Sequence, residues 1–518
     1  MFAGLRHSLH LMHVGYVLMR EGVFALVPRA QVPVALRPLV WLLAALARRD
    51  LGTRGTRIVA ALTRLGPSYV KLGQFMATRP DLIGFALAQD LEALQDRMAP
   101  FAQSEAEARV AAALGKPLSE IFTGFGEAVA AASIAQVHRA EVEIDGARKQ
   151  VAVKVLRPGI ERIFNRDIAA QLFVARLIER FAPSTRRLKP VEVVETLERT
   201  VLLEMDLRFE AAALSEMGEN TANDPEFRVP TVDWERTARD CLTLEWIDGI
   251  KLNDLAAMDA AGIDRAALAR VTMQSFLRHA LRDGFFHADM HPGNLFALRD
   301  GTLVAVDLGI MGRLGFKERR FLAEILLGFI TRDYLRIAEV HFEAGYVPAR
   351  HSVEDFAQAL RAVGEKIHGR NAAEISMAQL LGLLFEITAL FDMATRTELV
   401  LLQKTMVVVE GVSRNLDPTF DMWHVAEPVI REWIERNLGP IGKIEGLGKD
   451  AASMLRAVGR VPDLVTRAEK LLREIDGRQN IQGCREARPD TGNPAFKGIG
   501  WALWIIALVH VILLIRGF

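Results

Sequence analysis

The densest chemistry in the chain lies in Phe286-His287-Ala288-Asp289-Met290-His291-Pro292-Gly293-Asn294-Leu295, followed by Val306-Asp307-Leu308-Gly309. The spacing Asp289-x-x-x-x-Asn294 with a later Asp-x-Gly suits phosphoryl transfer. One carboxylate orients an attacking hydroxyl, while an amide oxygen and a second carboxylate hold Mg²⁺ on nucleotide phosphates. Asp300-Gly301 separates two apolar runs, residues 295–298 and 303–306, and signals a two-residue hairpin turn. Such a turn places Asn294 opposite Asp307, with both hard oxygens aimed at one cation. His287, Asp289 and His291 also fit a transition-metal site for hydrolysis. That reading gives Asn294 and Asp307 no task, so phosphoryl transfer is preferred.

Such a centre needs a strand lysine and a carboxylate to hold it. Within Val151-Ala152-Val153-Lys154-Val155, alternation sets Lys154 beside Ala152 on one face and the valines on the other. An ammonium in so apolar a strand requires counter-charge, from a nucleotide phosphate and a helix carboxylate. The candidates lie in Glu204-Met205-Asp206-Leu207-Arg208-Phe209-Glu210. Asp206 and Glu210 share a helix face, and Glu204 points elsewhere, so the segment can serve two partners. Glu210 is assigned to Lys154, and Glu204 to Lys71 in Lys71-Leu72-Gly73-Gln74. Lys71 and Gln74 share a helix face on which Gly73 admits another backbone closely.

Ala130, Ala131, Ala132, Ser133, Ile134, Ala135, Gln136 and Val137 open the small lobe where a protein kinase carries a glycine-rich phosphate loop. Alanine stiffens that loop. A strand pair, 137–144 and 151–156, is expected around Asp145-Gly146. Leu242 to Gly249 reads as the last strand and hinge, with the backbone at Glu245 and Ile247 available to adenine.

Composition sets the outer limits. The 518 residues suffice for two or three domains, and half are hydrophobic. Lys+Arg and Asp+Glu balance at 64 each, which argues against nucleic-acid binding. Cys241 and Cys484 lack metal-like spacing, so a reducing compartment fits. The expected order is an apolar, basic N-terminal segment (1–54), a helical extension (55–125), a β-rich lobe (126–250), a helical lobe (251–440), a polar linker (441–495) and a transmembrane helix (496–518). Residues 499–515 are nearly all apolar, flanked by Lys497 and Arg516 and carrying Trp501 and Trp504, which favours insertion. The first segment suits either an anionic membrane surface or the protein's own surface.

Together these motifs resemble the UbiB/ADCK atypical kinase-like family across roughly residues 55–440. The resemblance implies an α+β, two-lobe, protein-kinase-like fold whose extension, bearing Lys71 and Gln74, covers the peptide-binding side. It implies ATP and Mg²⁺ as cofactors, an ATPase or phosphotransferase activity and support of ubiquinone biosynthesis at the bacterial inner membrane, with the catalytic domain on the cytoplasmic side. Membrane lipids and polyprenylated quinone precursors, or the enzymes acting on them, are the implied partners. Carried over by motif, Lys154 contacts phosphates, Asp289 takes the catalytic-base position, and Asn294 and Asp307 bind Mg²⁺. Leu308 departs from the phenylalanine of protein kinases, and the tail has length for one membrane helix where relatives tend to show two. A kinase acting on a lipid or prenyl-phenol hydroxyl and a nucleotide-switched scaffold are the alternatives. No Ala-Pro-Glu signature or activation segment follows Gly309, so peptide docking lacks its usual platform.

Overall fold

The structure is a computed structural model that describes residues 2–26, 41–42, 44–48, 52–77, 83, 85–92, 94, 98–181, 189–368, 387, 390–393 and 397–439. Helix α1 (Phe2–Arg20) opens the chain, followed by α2 (Arg54–Leu65), α3 (Pro67–Ala77) and α4 (Phe85–Glu92). The Thr53 hydroxyl caps α2 by accepting the Thr56 N–H, and Gly66, at φ 106°, breaks the chain before Pro67 starts α3. Helix α1 buries Val14, Val17 and Leu18, while its Met12 and Tyr16 are exposed. Its neighbours are α2 and α6 (Ile160–Phe181). A buried polar knot fastens the extension to α6. Asp167, fully buried, accepts hydrogen bonds from Ser68 Oγ of α3 and from Arg166 Nε (2.7 Å), and lies 3.0 Å from His10 Nε2 of α1.

The small lobe is a four-stranded antiparallel sheet in the order β1-β2-β3-β5. Its strands are β1 (Gly124–Ala131), β2 (Ala135–Ile144), β3 (Ala147–Leu156) and β5 (Cys241–Glu245). Asp145 (φ 55°) and Gly146 (φ 74°) make the two-residue turn that puts Ile144 opposite Ala147. Val151, Val153 and Val155 are buried against Ala106 and Val110 of α5 (Gln103–Leu114). Ala152 packs on the other side of the sheet, and the alternation leaves Lys154 there too. Two helices, α7 (Pro190–Glu204) and α8 (Leu207–Asn220), follow α6 and meet at a break over Met205 and Asp206.

In the second lobe β4 (Phe227–Arg228), β6 (Ile250–Lys251), β8 (Leu295–Ala297) and β9 (Leu303–Ala305) form a sheet in the order β4-β9-β8-β6. β7 (Phe285–His287) pairs with β10 (Met311–Arg313). Behind them stand α9 (Leu255–Ala260), α10 (Arg265–Arg278) with a π-helical turn at His279–Asp283, α11 (Phe316–Thr331), α12 (Tyr334–Glu343), α13 (Val353–His368), α14 (Thr397–Leu416) and α15 (Met422–Leu438). One apolar core runs through both lobes, from Leu156 and Leu214 to Phe286, Leu308 and Val409. Among the described residues no helix is long and apolar enough to cross a membrane. The expected span, 496–518, and its linker lie outside the described residues.

Candidate functional site

Strand β3 delivers Lys154 to the cleft, where its Nζ lies 2.9 Å from both carboxylate oxygens of Glu210 on α8 and 2.9 Å from Oδ1 of Asp307. One ammonium thus joins the sheet and helix of the small lobe to the strand end of the large one. Burial works against its charge, but Asp307 and Glu210 outweigh that and hold the lysine protonated. The same ammonium faces two carboxylates, and the pair divides unequally. Burial, reinforced by the charge of Asp307, pushes Glu210 up to about 7 despite Lys154. For Asp307 burial is overcome by the charge of Lys154, which holds the carboxyl well below the usual range. The Asp307 side chain is 45% exposed to the cleft, so solvent screens part of that attraction.

The metal-ligand pair sits differently from the sequence expectation. Leu295 faces Ala305 and Ala297 faces Leu303, so the register is one residue off and Asn294 stands opposite Val306, whose N–H donates to its carbonyl at 2.8 Å. Arg299, Asp300 and Gly301 together form the loop: the Thr302 N–H donates to Asp300 Oδ1, and Gly301 adopts φ 87°. A one-residue slip turns side chains to the opposite face. Asp307 compensates by leaving the strand in the left-handed region, φ 59°, which aims its carboxylate at Lys154. Asn294 donates Nδ2 to the Asp289 carbonyl at 3.1 Å and reaches Asp289 Oδ2 at 3.5 Å, leaving Oδ1 as its ligand atom. An amide oxygen and an ionised carboxylate are the donors a hard divalent cation selects, so Asn294 and Asp307 fit Mg²⁺.

The rival transition-metal reading fails on hydrogen bonding. His287 is buried and its Nδ1 accepts the Asp289 N–H at 3.1 Å, so Nε2 carries the proton and donates to Val306 O at 3.3 Å. Burial lowers its pKa and keeps the ring neutral. Both nitrogens are engaged, and the ring links Asp289 to Val306, the residue before Asp307. His291 Nδ1 likewise accepts the Gly293 N–H at 2.9 Å. Among the described residues no group of three His, Cys, Asp or Glu could hold a metal. The Asp289 side chain is one-third exposed to the cleft.

The alanine stretch is mostly strand. Ala130 and Ala131 belong to β1 and Ala135, Gln136 and Val137 to β2, which leaves Ala132, Ser133 and Ile134 as the turn. Its stiffness has a source beyond alanine. The Ala131 carbonyl accepts the Met98 N–H (3.1 Å), Ala132 O accepts Arg157 Nε (2.9 Å), and Ile134 O accepts the Arg157 N–H (2.8 Å). Arg157 Nη2 also reaches Ala99 O at 2.9 Å. Gln136, expected at the nucleotide, is buried and bonds both backbone groups of Phe101 and His138 Nε2. It straps the segment leading from the extension onto the sheet instead. At the hinge Glu245 forks onto Arg228 at 2.9 Å on each oxygen and its N–H goes to Thr231 O, so only its carbonyl stays available to a base. Ile247 lies just beyond β5, half-buried.

On the extension Lys71 Nζ lies 2.7 Å from Glu204 Oε2, both about one-tenth exposed. Gln74 shares the helix. Gly73 admits side chains, not a backbone: a Cβ there would collide with Leu94 and come within 2.7 Å of Leu62 Cδ1. Asp206 shares no helix face with Glu210, because the helix stops at Glu204 and Asp206 caps the next, accepting the Arg208 N–H and pairing with Arg208 at 2.6 Å. That break lets Glu204 and Glu210 serve different lysines. Arg157, Arg228 and Asp167 carry no motif signal, since Arg157 and Arg228 bond groups remote in sequence and Asp167 joins the remote Ser68 and His10.

Residues 93–341 match the ABC1 atypical kinase-like domain and residues 360–421 the UbiB helical domain. A protein of Marinobacter nauticus named probable protein kinase UbiB is 38% identical over 462 residues, 88% of this chain and 84% of its own length. One of Xanthomonas euvesicatoria pv. vesicatoria with the same name is 40% identical over 438 residues, 83% and 78% of the two chains. A solved structure of a Mycobacterium tuberculosis protein with erythromycin covers 70% of this chain and 94% of its own. Its TM-score of 0.44 at 22% identity is too loose to carry any argument.

Proposed function

The chain belongs to the UbiB family of ABC1 atypical kinase-like proteins, and on that premise we propose a membrane-anchored, ATP-dependent ATPase or phosphotransferase that supports ubiquinone biosynthesis. The observation that carries the reading is the single ammonium of Lys154 within 2.9 Å of both Glu210 and Asp307. This contact joins the lysine, helix carboxylate and Asp-x-Gly carboxylate that phosphoryl transfer requires. Asn294 and Asp307 would hold Mg²⁺, which when bound neutralises charge on the nucleotide phosphates. Lys154 binds and orients the phosphates, and Asp289, held by Asn294 beside the cleft, orients the attacking hydroxyl or water and accepts its proton.

The acceptor is read as small or absent. From Gly309 the chain passes through β10 straight into α11 at Phe316, so no extended segment there offers a peptide platform. The Lys71–Glu204 pair fastens the extension to α7. A polyprenylated quinone precursor, or the enzymes acting on one, is the proposed partner, met at the bacterial inner membrane from the cytoplasmic side through the apolar segment 499–515. Product analysis tests this. Purified protein with ATP, Mg²⁺, vesicles and a prenyl-phenol mimic should release free phosphate or phosphorylate the mimic, without labelling added protein. Transfer to protein as the main product would overturn it.

A further inference from the structure

We propose that Thr405 is a positioning residue for the catalytic loop, through which the helical domain sets the turnover of Asp289. Thr405 lies on α14, within the segment matched as the UbiB helical domain, and far in sequence from the loop. It is 1% exposed, and its Oγ1 lies 3.1 Å from the carbonyl oxygen of Ala288, the residue between His287 and Asp289. The same oxygen lies 2.8 Å from Leu401 O one helical turn back. A threonine hydroxyl bonding its own helix is common and by itself structural. Here the single proton is shared with a buried loop carbonyl, in a three-centre bond that ties the helix to the loop.

The other bonds on this loop explain why that tie matters. The Ala288 N–H donates to Ile310 O at 3.0 Å, and the Asp289 N–H donates to His287 Nδ1 at 3.1 Å. The first fixes the preceding peptide and the second holds the N–H edge of the Ala288–Asp289 peptide, which leaves the carbonyl edge of that peptide to Thr405. Ala288 is 3% exposed, so water cannot take the place of the hydroxyl without rearrangement. Losing the bond leaves a buried acceptor unpaired, and the Ala288–Asp289 peptide, then held only through the Asp289 N–H on His287, relieves this by rotating. Rotation carries the Asp289 carboxylate with it. Nucleotide binding is little affected, because Lys154 and Asp307 do not bond this peptide and Asn294 meets Asp289 through Nδ2 rather than through its ligand atom Oδ1. Small displacements of a catalytic group cost turnover steeply.

The inference rests on the reading of Asp289 as the group acting in transfer, and the test separates the two. Thr405→Val keeps the shape and removes the hydroxyl; Thr405→Ser keeps the hydroxyl and loses a methyl. Hydrogen exchange of peptides spanning residues 286–294, Mg²⁺-ATP affinity and ATP hydrolysis are measured on the full-length protein and both variants. Thr405→Val should exchange faster at 286–294 while 135–156 stays as in the parent. Its turnover should fall about tenfold, with affinity within about twofold. Thr405→Ser should restore both exchange and turnover. Parent-like exchange in Thr405→Val, faster exchange throughout the chain, or failure of serine to rescue would each overturn the proposal. If Asp289→Asn hydrolyses ATP like the parent, the role given to Asp289 fails, and the exchange measurement still decides whether Thr405 seats the loop.

Discussion

Replacing Lys154 by Met keeps the side chain's length and removes the ammonium shared by Glu210 and Asp307. Glu210 is 7% exposed and already pushed up to about 7 beside that ammonium. Without it the opposing charge is gone while Asp307 remains, so Glu210 rises further. A carboxylate raised in the folded state keeps a proton that the unfolded chain has released. Stability therefore falls with pH between the unfolded and folded values, by roughly 1.4 kcal/mol per pH unit. In the parent this decline runs from 4.5 to about 7 and then levels off. In Lys154→Met it continues, so between about pH 7 and about pH 8.5 the variant loses up to roughly 2 kcal/mol more than the parent. That increment is smaller than the roughly 3–5 kcal/mol cost of breaking a buried ion pair. In the parent Asp307 has the opposite sign: its depressed value stabilises above the ordinary carboxylate range and is lost only as pH falls below it, outside this interval, and the variant loses that depression together with the ammonium. Denaturant unfolding of both proteins at the two pH values gives the difference directly. A stability gap that is the same at both would refute the charge assignment in the cleft.

Asp289→Asn should bind Mg²⁺-ATP like the parent and lose about 10²–10⁴-fold in turnover, as expected for a positioned general base; single-turnover phosphate release checks it, and unchanged hydrolysis would point to another group. Gly312→Ala would drive a Cβ into the ring of Phe286, its partner across β7 and β10 and fully buried. It should cost about 1–3 kcal/mol by overpacking, whereas Gly411→Ala, with open space around it on α14, should be neutral or stabilising by up to about 1 kcal/mol. Equal unfolding midpoints for the two would show that β10 does not press on the catalytic strand. Deleting residues 497–518 should release the protein at least partly from membranes in flotation assays and leave nucleotide binding intact; full retention in high salt would shift anchoring to the N-terminal segment.

Short-range features of this fold were legible in the sequence because their causes are local. The Asp145-Gly146 turn and the valine alternation around Lys154 need no information from elsewhere in the chain. The pairs Lys71–Glu204 and Lys154–Glu210 form as assigned, although the shared helix face used to separate Glu204 from Glu210 does not. The hairpin at Asp300-Gly301 shows the limit. Two- and three-residue loops share the same Asp-Gly signature, and the Asp300 side chain closing onto Thr302 decided between them. Asp206 was misplaced because a helix break and a continuing helix look alike where a capping aspartate also suits the helix pattern. Gln136 followed motif position into the nucleotide loop, while strand alternation turned it toward Phe101. The contacts of Arg157 with Ala99 and of Thr405 with Ala288 join segments far apart in sequence, and nothing near either residue encodes its partner.

The central claim is that Asp307 and Asn294 present a Mg²⁺-dependent nucleotide site to Lys154. Its most direct test is ATP affinity measured with and without Mg²⁺ for the full-length protein and for Asp307→Asn. The proposed site predicts ATP binding by the parent that depends on Mg²⁺, and an Asp307→Asn variant whose residual affinity no longer responds to the metal. Equal Mg²⁺-dependent affinity in the two proteins would contradict the account.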